Sequence, residues 1–518
     1  LLEGRERVAV ERTIAPRMIA GQRWFAAKGQ RIEATRVLDY GLMNDRAGTE
    51  AFILPLAEIR LAGGETQTYF LPVAIDESAE DESRLNEALA RVRRGRRTGL
   101  IFGAARSPEF VLSVLDAMRA GTEIPTGERA TLRFAATSLF PSDVQIDPGT
   151  VRRLSGEQSN TSIALDDSMV LKLYRRVQPG IHPEVEVGRF LTEVAGFANT
   201  PPTLGTVEHL AADGTPSALA ILQSFVRNQG DAWRLTLDQL TRELDTFALT
   251  PTPDEVEGEQ GGIADVFAPY RRYAEILGQR TGEMHRAFAT PTDDPAFVVE
   301  PLTESDVRVA AEDARDQAER AFAAIRRMGD LSGTAREAIE AFTQQRDRCL
   351  AVIDALAVAP SGAVKTRIHG DYHLGQVLIV QDDVMIVDFE GEPSRPAEER
   401  RAKSSPLRDV AGMLRSFAYA ADSATREVGT RLPESGQRIA GIAADWLRLT
   451  EEAFLVAYEQ AVVGSPVWVA DDAARARLMR LHLLGKALYE VNYEANNRPD
   501  WIETPIRGVL SILAQGTE

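Results

Sequence analysis

Residues 367–393, RIHGDYHLGQVLIVQDDVMIVDFEGEP, combine carboxylates and an amide with two short apolar runs. The runs VLIV and VMIVDF flank the polar residues 381–383, a pattern that predicts a strand, a tight turn and a second strand. Polar residues before and at the end of such a hairpin converge on one edge, so we expect Asp371, Gln376 and Asp388 to form one site. This set suits phosphoryl transfer, which needs a carboxylate for the attacking hydroxyl and oxygen ligands for Mg²⁺.

The spacing of these residues follows the protein-kinase pattern H-R-D-x-x-x-x-N followed by D-F-G. Here Gln376 stands five residues after Asp371, and the hairpin is followed by Asp388-Phe389-Glu390, so Gln replaces Asn and Glu replaces Gly. A glutamine carbonyl still provides the oxygen that Mg²⁺ prefers. We predict that Asp371 is the catalytic base and that Gln376 and Asp388 hold the metal. An unpaired Asp388 inside an apolar run would be costly, which favours function there.

The two histidines of this stretch allow a second interpretation. His369 and His373 have the i, i+4 spacing of a zinc pair on a helix. Gly370 and the lack of helical periodicity argue against a helix at this point. We therefore interpret His369 as a scaffold residue whose imidazole hydrogen-bonds nearby backbone.

A phosphoryl-transfer enzyme also needs a cation on the nucleotide phosphates. Lys172 lies within the apolar strand pattern MVLKLY, as in the V-A-I-K pattern of kinases. Glu186 is the first choice for its partner and Glu184 the second, while the alternative is a lysine that snorkels to solvent. The stretch LSGEQSNTS (154–162) is a candidate phosphate-covering loop. The predicted nucleotide-binding residues here are Lys172, Glu186, Ser159, Asn160 and Thr161.

Composition limits the possible functions. The 518 residues include 59 Lys and Arg against 77 Asp and Glu, a net charge of −18. This acidity argues against general binding of nucleic acid or anionic membranes. Cys349 is the one cysteine, so no intrachain disulfide and no cysteine-rich metal site can form. There is no apolar run of transmembrane length, and the composition is that of a cytoplasmic enzyme.

The predicted secondary structure changes along the chain. Residues 1–128 are predicted to form a cap domain. They contain strand-like runs at 51–61 and 66–75, with a predicted hairpin turn at Gly63-Gly64, and one predicted helix over 107–121. Residues 129–226 are again rich in strands and are predicted to form a small nucleotide-binding lobe. Residues 227–518 are dominated by helical patterns, among them 269–288, 304–328 and 475–497. They are predicted to form a large lobe with the catalytic loop and the acceptor site. The fold class is therefore α+β.

Several blocks of sequence resemble the maltokinases, a group of aminoglycoside-phosphotransferase-like kinases. The cap resemblance is carried by QRWFAAKG (22–29). The other blocks are GEQSNTS (156–162), VLKLYRRVQPGIHPEVEVGRFL (170–191), HGDYHLGQVL (369–378), VDFEGEPSRPAEERRAKSSPLRDVAGMLRSFAYA (387–420) and KALYEVNYEANNRPDW (486–501). The resemblance implies a bilobed protein-kinase-like fold with an extra β-rich N-terminal cap.

The resemblance also implies an activity, its cofactors and its partners. ATP and Mg²⁺ would be used to phosphorylate the anomeric hydroxyl of maltose, giving maltose 1-phosphate for α-glucan synthesis from trehalose. Glu390 would be a further metal residue. Maltokinases occur beside or fused to trehalose synthase, and a start without Met suits the C-terminal part of such a fusion, although an expression artefact would look the same.

The resemblance places adenine and sugar contacts as well. The segment QSFVRN (223–228) is expected to connect the lobes and to meet adenine through Gln223, Phe225 and Val226. Residues expected to bind the sugar are Asp371, His373, Lys486, Glu490, Tyr493 and Glu494. The alternative is that Tyr489 and Tyr493 are core residues and that Lys486 and Glu490 form an exposed ion pair.

Two further groups lie after the metal motif. Arg400, Arg401 and Lys403 are interpreted as a solvated basic loop, with nucleotide or sugar binding as the alternative. Asp409 in PLRDVAGML is interpreted as a helix N-cap rather than a catalytic residue.

Two other functions compete with maltose phosphorylation. One is a kinase of the same fold that acts on glucosamine or an aminoglycoside, for which Glu490 and Glu494 would provide an acidic pocket. The other is a non-catalytic nucleotide-binding scaffold for trehalose synthase. The intact set of Asp371, Gln376 and Asp388 argues against the scaffold.

Overall fold

The computed structural model describes residues 4–19, 22–25, 27, 29–46, 50–76, 88–94, 96–127, 129–143, 145–154, 160–249, 263–329 and 333–515. The chain divides into two compact units. The first comprises residues 1–194 and 201–227, and the second residues 195–200 and 228–518. The limits 1–128, 129–226 and 227–518 stay predictions.

The first unit contains two antiparallel sheets. In the first sheet the strand order is β12-β3-β2-β4-β6-β5, and β1 pairs with β2. Its strands are β1 (Ile32–Asn44), β2 (Glu50–Leu61), β3 (Thr66–Phe70), β4 (Val73–Asp76), β5 (Ala90–Arg94), β6 (Arg97–Gly103) and β12 (Arg176–Val177). The second sheet has the order β7-β8-β13-β14-β11-β10-β9. Its strands are β7 (Glu123–Thr126), β8 (Ala130–Ala136), β9 (Arg152–Arg153), β10 (Asn160–Leu165), β11 (Met169–Tyr174), β13 (Thr203–Leu210) and β14 (Pro216–Ser224).

Local sequence signals explain the first elements of this unit. The Gly63-Gly64 turn joins β2 to β3, with both glycines at positive φ, and confirms the predicted hairpin. The predicted helix over 107–121 is α3 (Pro108–Ala120), preceded along the chain by the short helices α1 (Gly4–Ala9) and α2 (Ala15–Ile19). Ser107 caps α3 by accepting from the N–H of Phe110, and Gly121 ends it in the left-handed conformation.

The two sheets share one apolar core. Phe52 of β2 packs edge-on against Phe110 of α3, with ring centroids 5.4 Å apart. The same buried cluster includes Leu132 and Phe134 of β8 and Leu171 of β11. The first sheet, called the cap sheet below, and the second sheet, called the nucleotide-side sheet below, therefore depend on the same buried apolar area.

The second unit is mainly helical. The predicted helices over 269–288, 304–328 and 475–497 are confirmed as α7, α8 and α14. The helices after α4 (Pro183–Phe190) of the first unit are α5 (Ala232–Leu249), α6 (Ile263–Val266), α7 (Ala268–Phe288), α8 (Glu304–Arg327), α9 (Thr334–Gln344), α10 (Arg346–Leu356), α11 (Ala397–Arg400), α12 (Leu407–Arg431), α13 (Gly436–Val462), α14 (Asp472–Asn497) and α15 (Glu503–Ala514). Its strands are β15 (Glu300–Pro301), β16 (Val364–Lys365), β17 (Val377–Val380) and β18 (Asp383–Ile386).

Close packing of α7 against α13, and a hydrogen bond from Asn199 to the β17–β18 hairpin, stabilise this unit. A Cβ at Gly278 of α7 would lie 2.1 Å from the Phe454 carbonyl oxygen of α13, so glycine permits the backbones to approach. The predicted hairpin is confirmed by the pairing of β17 with β18. The Asn199 amide donates to the Val384 carbonyl oxygen at 2.9 Å, which fixes the hairpin from outside. In the part of the chain that the structure describes, no helix has the length and apolarity that a membrane span requires.

Candidate active site

The end of the β17–β18 hairpin brings the predicted metal residues together. The Val387 N–H donates to the Gln376 carbonyl oxygen at 2.9 Å, which extends the hydrogen bonding between β17 and β18 by one residue pair. The Gln376 amide nitrogen then lies 3.2 Å from Asp388 Oδ2. Asp388 has φ +67°, in the left-handed region that residues other than glycine seldom occupy. The hairpin thus turns the Asp388 side chain towards Gln376 at the expense of local strain.

The donor set at this point fits a hard divalent cation. Carboxylate oxygens of Asp388 and Glu390 lie within 4.8 Å of each other. Rotation of the Gln376 amide about its last bond would present its oxygen to a cation. Oxygen donors without thiols or imidazoles match Mg²⁺ and not zinc.

His369 is a scaffold residue, as predicted. Its Nε2–H donates to the Val387 carbonyl oxygen at 3.0 Å, which leaves Nδ1 as an acceptor for the Asp371 N–H at 3.4 Å. Both ring nitrogens are therefore occupied, and the ring is 1% exposed. The zinc-pair alternative fails on this geometry, because neither nitrogen of His369 is available to a metal.

Asp371 faces a large cavity in the second unit. Its Oδ1 lies 3.4 Å from Lys486 Nζ, and its Oδ2 lies 4.0 Å from His373 Nε2. Burial lowers the pKa of His373 below its ordinary value, despite the opposing effect of Asp371. The cation beside Asp371 near neutral pH is therefore Lys486 and not His373.

Asp409 holds the loop that carries Asp371, a role that the sequence analysis did not predict. Its carboxylate accepts the N–H of His369 at 2.7 Å, the N–H of Gly370 at 2.9 Å and His285 Nε2 at 3.2 Å. Burial opposes its charge, but the hydrogen bonds and the nearby imidazoles prevail and lower the pKa of Asp409. The N-cap prediction is wrong, since Asp409 lies inside α12 and Pro406 stands at the N-cap.

The cavity in front of Asp371 has a volume of about 820 Å³. The side of α14 that lines it carries His482, Gly485, Lys486 and Tyr489. Burial, followed by the Arg408 charge, lowers the pKa of His482 to about 3, so this imidazole is neutral. Of the predicted sugar residues on α14, Lys486 alone is among the described residues that line the cavity.

The remaining sugar candidates on α14 have other surroundings. Glu490 forms a buried ion pair with Arg415, with Oε2 at 2.9 Å from Nε and 2.7 Å from Nη2. The Glu494 carboxylate accepts from Arg498 Nε at 2.9 Å. The sequence did not show this, because Arg415 is 75 residues away in the chain.

The alternative interpretation of α14 is also wrong in two respects. Lys486 pairs with Asp371 rather than with Glu490. Tyr493 is 43% exposed and is therefore not a core residue. A helix of this length can present either of two adjacent faces to a cavity, and the periodicity alone did not identify the correct one.

The basic run after the metal motif is held in place by hydrogen bonds. Arg400 Nη1 donates to the Glu390 carbonyl oxygen at 2.9 Å. Lys403 is paired with Glu300, and both line the cavity together with Arg401. The solvated-loop interpretation is therefore wrong for Arg400 and Lys403.

In the first unit, Lys172 forms a buried ion pair. Its Nζ lies 2.9 Å from Glu184 Oε2, and the Tyr174 hydroxyl donates to the same oxygen at 2.6 Å. Lys172 is 7% exposed, so the snorkelling alternative is wrong. Glu184, the second choice from the sequence, is thus a partner of Lys172 in the structure.

The other predicted nucleotide residues flank this ion pair along the second sheet. Asn160 and Thr161 open β10, whereas Ser159 lies outside the described residues. Gln223 pairs with Val170 in the ladder between β14 and β11. Just beyond β14, before Val226, the Phe225 N–H donates to the Ser168 carbonyl oxygen at 2.8 Å.

Comparison with known families decides the assignment. Residues 150–449 match the model of the phosphotransferase enzyme family, and residues 19–105 match the maltokinase N-terminal cap domain. The chain belongs to the phosphotransferase enzyme family. It is a kinase with a maltokinase-type cap, and its family supports ATP as the phosphoryl donor. The predicted resemblance and fold class, an α+β kinase-like fold with a cap, are confirmed.

Two curated relatives of this family member are named glucosamine kinases. One from Streptacidiphilus jiangxiensis is 26% identical over 69% of this chain and 72% of its own length. Another from Mycolicibacterium smegmatis is 27% identical over 71% of this chain and 80% of its own length.

Solved structures give the same fold. A glucosamine kinase in complex with glucosamine, ADP and inorganic phosphate has a TM-score of 0.63 at 21% identity and covers 96% of this chain and 98% of its own. A second crystal form of glucosamine kinase has a TM-score of 0.64 at 20% identity, with 96% and 99% coverage. At this identity the likeness concerns the fold.

The role of Asp409 leads to a first prediction. Asp409→Asn can accept only through one oxygen, so one of the buried N–H groups of His369 or Gly370 loses its partner. We expect faster amide hydrogen exchange in residues 367–372 and a turnover reduced by about 10-fold or more, with ADP affinity retained. Hydrogen-exchange mass spectrometry and steady-state kinetics measure both.

Asp382→Asn is the matched control for Asp409→Asn. Asp382 is an exposed turn residue of the β17–β18 hairpin. Its substitution should therefore leave the amide exchange of residues 367–372 and the turnover unchanged. Wild-type exchange and turnover in Asp409→Asn would contradict the assigned positioning role.

Proposed function

We propose that this kinase transfers the γ-phosphoryl group of ATP to the anomeric hydroxyl of maltose and releases maltose 1-phosphate. The observation that carries the proposal is the Asp371 carboxylate, which lines the cavity of about 820 Å³ beside Lys486. Its backbone N–H donates to His369 Nδ1, and Asp409 accepts the N–H groups of the two preceding residues, so the loop is held before a substrate binds. Such preorganisation is what a positioned general base requires.

In the proposed reaction, Asp371 accepts the proton of the sugar hydroxyl as the hydroxyl oxygen attacks the γ-phosphorus. The bond from that phosphorus to the bridging oxygen of the β-phosphate breaks, and ADP leaves with that oxygen. Lys486 Nζ lies 3.4 Å from Asp371 Oδ1 and forms an ion pair with it. Gln376, Asp388 and Glu390 would hold Mg²⁺, which neutralises charge on the phosphates when bound. Lys172, kept in place by Glu184, would bind the nucleotide phosphates.

The character of the cavity supports a neutral disaccharide acceptor. Its volume lies in the upper part of the range of roughly 300–1,000 Å³ that ligand sites occupy. Several charged groups in its wall are already paired, among them Lys365 with Asp306 at 2.7 Å and Lys403 with Glu300. Paired charges offer donors and acceptors to hydroxyl groups without favouring an ionic ligand. The maltokinase-type cap supports the same acceptor.

A second candidate acceptor is glucosamine, which is favoured by the names of the two curated relatives. An ammonium group would need a carboxylate near Asp371. Glu490 and Glu494, which the sequence offered for this purpose, are engaged by Arg415 and Arg498 instead. This weakens the chemical case for an amino sugar, so maltose remains the primary proposal. Production of maltose 1-phosphate would be consistent with a partnership with trehalose synthase.

An acceptor panel tests the proposed function. ADP release is measured with ATP, Mg²⁺ and maltose, glucose, glucosamine or an aminoglycoside, and ³¹P NMR identifies the phosphorylated position. We expect the highest kcat/KM with maltose and an anomeric phosphate as the product. Turnover confined to glucosamine would transfer the assignment to the second candidate, and ADP binding without any turnover would favour a non-catalytic scaffold.

Substitution of Asp371 tests the base. Asp371→Asn keeps the size of the side chain but removes the proton acceptor, so kcat should fall by about 10²–10⁴-fold. kcat/KM should fall with kcat, because the lost interaction belongs to the transition state. ADP affinity and melting temperature, measured on the same sample, should be unchanged. Near-normal turnover by a folded variant would refute the mechanism.

Two substitutions separate the metal ligands. Asp388→Asn removes an anionic ligand and should abolish the Mg²⁺ dependence of ADP binding, whereas Gln376→Ala removes a neutral one and should weaken it less. Calorimetric titration of ADP at several Mg²⁺ concentrations measures both effects. The reverse order of severity would overturn the assignment of these ligands.

A further inference from the structure

The strand that carries Lys172 passes directly from one sheet of the first unit to the other. β11 ends at Tyr174 in the second sheet, and β12, which begins at Arg176, pairs with β3 of the cap sheet. Arg175 is the residue between them. The cap sheet and the nucleotide-side sheet are therefore covalently continuous at this position.

The Arg175 side chain contacts both sheets at this crossing. Its Nε donates to Thr161 Oγ1 of β10 at 2.9 Å, and its Nη1 donates to the Phe70 carbonyl oxygen of β3 at 3.4 Å. Its guanidinium lies over the ring of Trp24, 5.3 Å from the centroid. Its own carbonyl oxygen accepts the Phe70 N–H at 2.9 Å. One side chain thus joins two cap residues to the start of β10.

Arg175 is a buried cation without a carboxylate partner among the described residues. It is 4% exposed. Burial, followed by repulsion from Arg153, lowers the pKa of Arg175 to about 9. A buried charge of this kind is costly, and an apolar residue of similar volume would be expected to serve stability at least as well.

The two faces of the second sheet separate the ion pair of Lys172 from Arg175. Side chains alternate along a strand, so Lys172 and Tyr174 share one face, on which Glu184 accepts from both. Thr161 pairs with Leu173 in the ladder, and its hydroxyl faces Arg175 on the opposite side. Neighbouring Asn160 lies on the Lys172 face. The side chain of Thr161, although predicted to bind nucleotide, therefore faces Arg175, and the cap contacts hold β10 from the side opposite Lys172 and Asn160.

We propose that Arg175 is a positioning residue through which the cap domain fixes β10 and thereby sets the affinity of the enzyme for its nucleotide. This inference rests on the proposed nucleotide role of Lys172 and Asn160. According to this inference, the cap contributes to nucleotide binding because it holds the nucleotide-side sheet in its binding geometry.

Calorimetric titration with ADP tests the inference. Arg175→Met keeps the apolar stem but loses the donor to Thr161, and it should raise the Kd for ADP by about 2- to 30-fold, the range typical of changes in energetic coupling. The melting temperature should be unchanged or higher, because a buried unpaired charge is removed. A purely structural arginine would give the opposite pattern, a lower melting temperature with an unchanged Kd.

Arg176→Met is the matched control, since Arg176 is the next residue, is exposed and undergoes the same change of charge. It should leave the Kd for ADP unchanged. Trp24→Leu removes the cap side of the contact and should raise the Kd as well. Combined with Arg175→Met it should add little, because both act on one contact. If Arg175→Met does not fold, Arg175→Lys is judged by the same criterion.

Lys172→Met distinguishes the failure of this inference from that of the proposed function. If Lys172→Met weakens ADP binding while Arg175→Met and Trp24→Leu do not, the cap has no role in nucleotide affinity and the inference is overturned. If Lys172→Met leaves ADP binding unchanged, the proposed nucleotide site itself is overturned, whatever Arg175→Met does.

Discussion

The carboxylate of Asp409 accepts three hydrogen bonds in a fully buried environment, and the catalytic loop depends on them. Two of the donors are the backbone N–H groups of His369 and Gly370, and the third is His285. In a medium of low polarity such bonds are strong, and a lost partner is not replaced by water. A rotation of the loop would leave buried N–H groups without an acceptor. The direction of Asp371 is therefore fixed by the interior of the helical unit.

His369 transmits this constraint to the metal residues. Its backbone is held by Asp409, and its ring donates to the carbonyl of Val387, the residue before Asp388. The proposed base Asp371 and the proposed metal ligand Asp388 come from separate segments, yet both are held through one imidazole. This explains why a histidine precedes the catalytic loop although it does not touch the reacting groups in the proposed mechanism.

The sequence predicted those parts of the site that depend on local spacing. The hairpin, the kinase-like order of Asp371, Gln376 and Asp388, and the burial of Lys172 all follow from short-range pattern. Choices between neighbouring residues were less accurate, because they depend on partners that are distant in the chain. Glu184 was ranked below Glu186 since the register of α4 against β11 is a tertiary property.

Asp409 and α14 illustrate the same limit. Asp409 stands near the start of a helix, where an N-cap is the local interpretation, and its loop partners lie 39 and 40 residues earlier. On α14, Glu490 was assigned to the sugar because its buried partner Arg415 comes from another helix. Long-range hydrogen bonds decided both cases, and periodicity does not encode them.

The passage of β11 into β12 has a consequence for how such enzymes diversify. A chain cut after residue 128 would lose β12, and β3 would be left as an unprotected edge open to aggregation. It would also divide the apolar core that Phe52 and Phe110 share with Leu171. The cap is thus not a detachable module that recombination could exchange between kinases. Cap and nucleotide-side sheet are expected to be inherited together, as a single evolutionary unit.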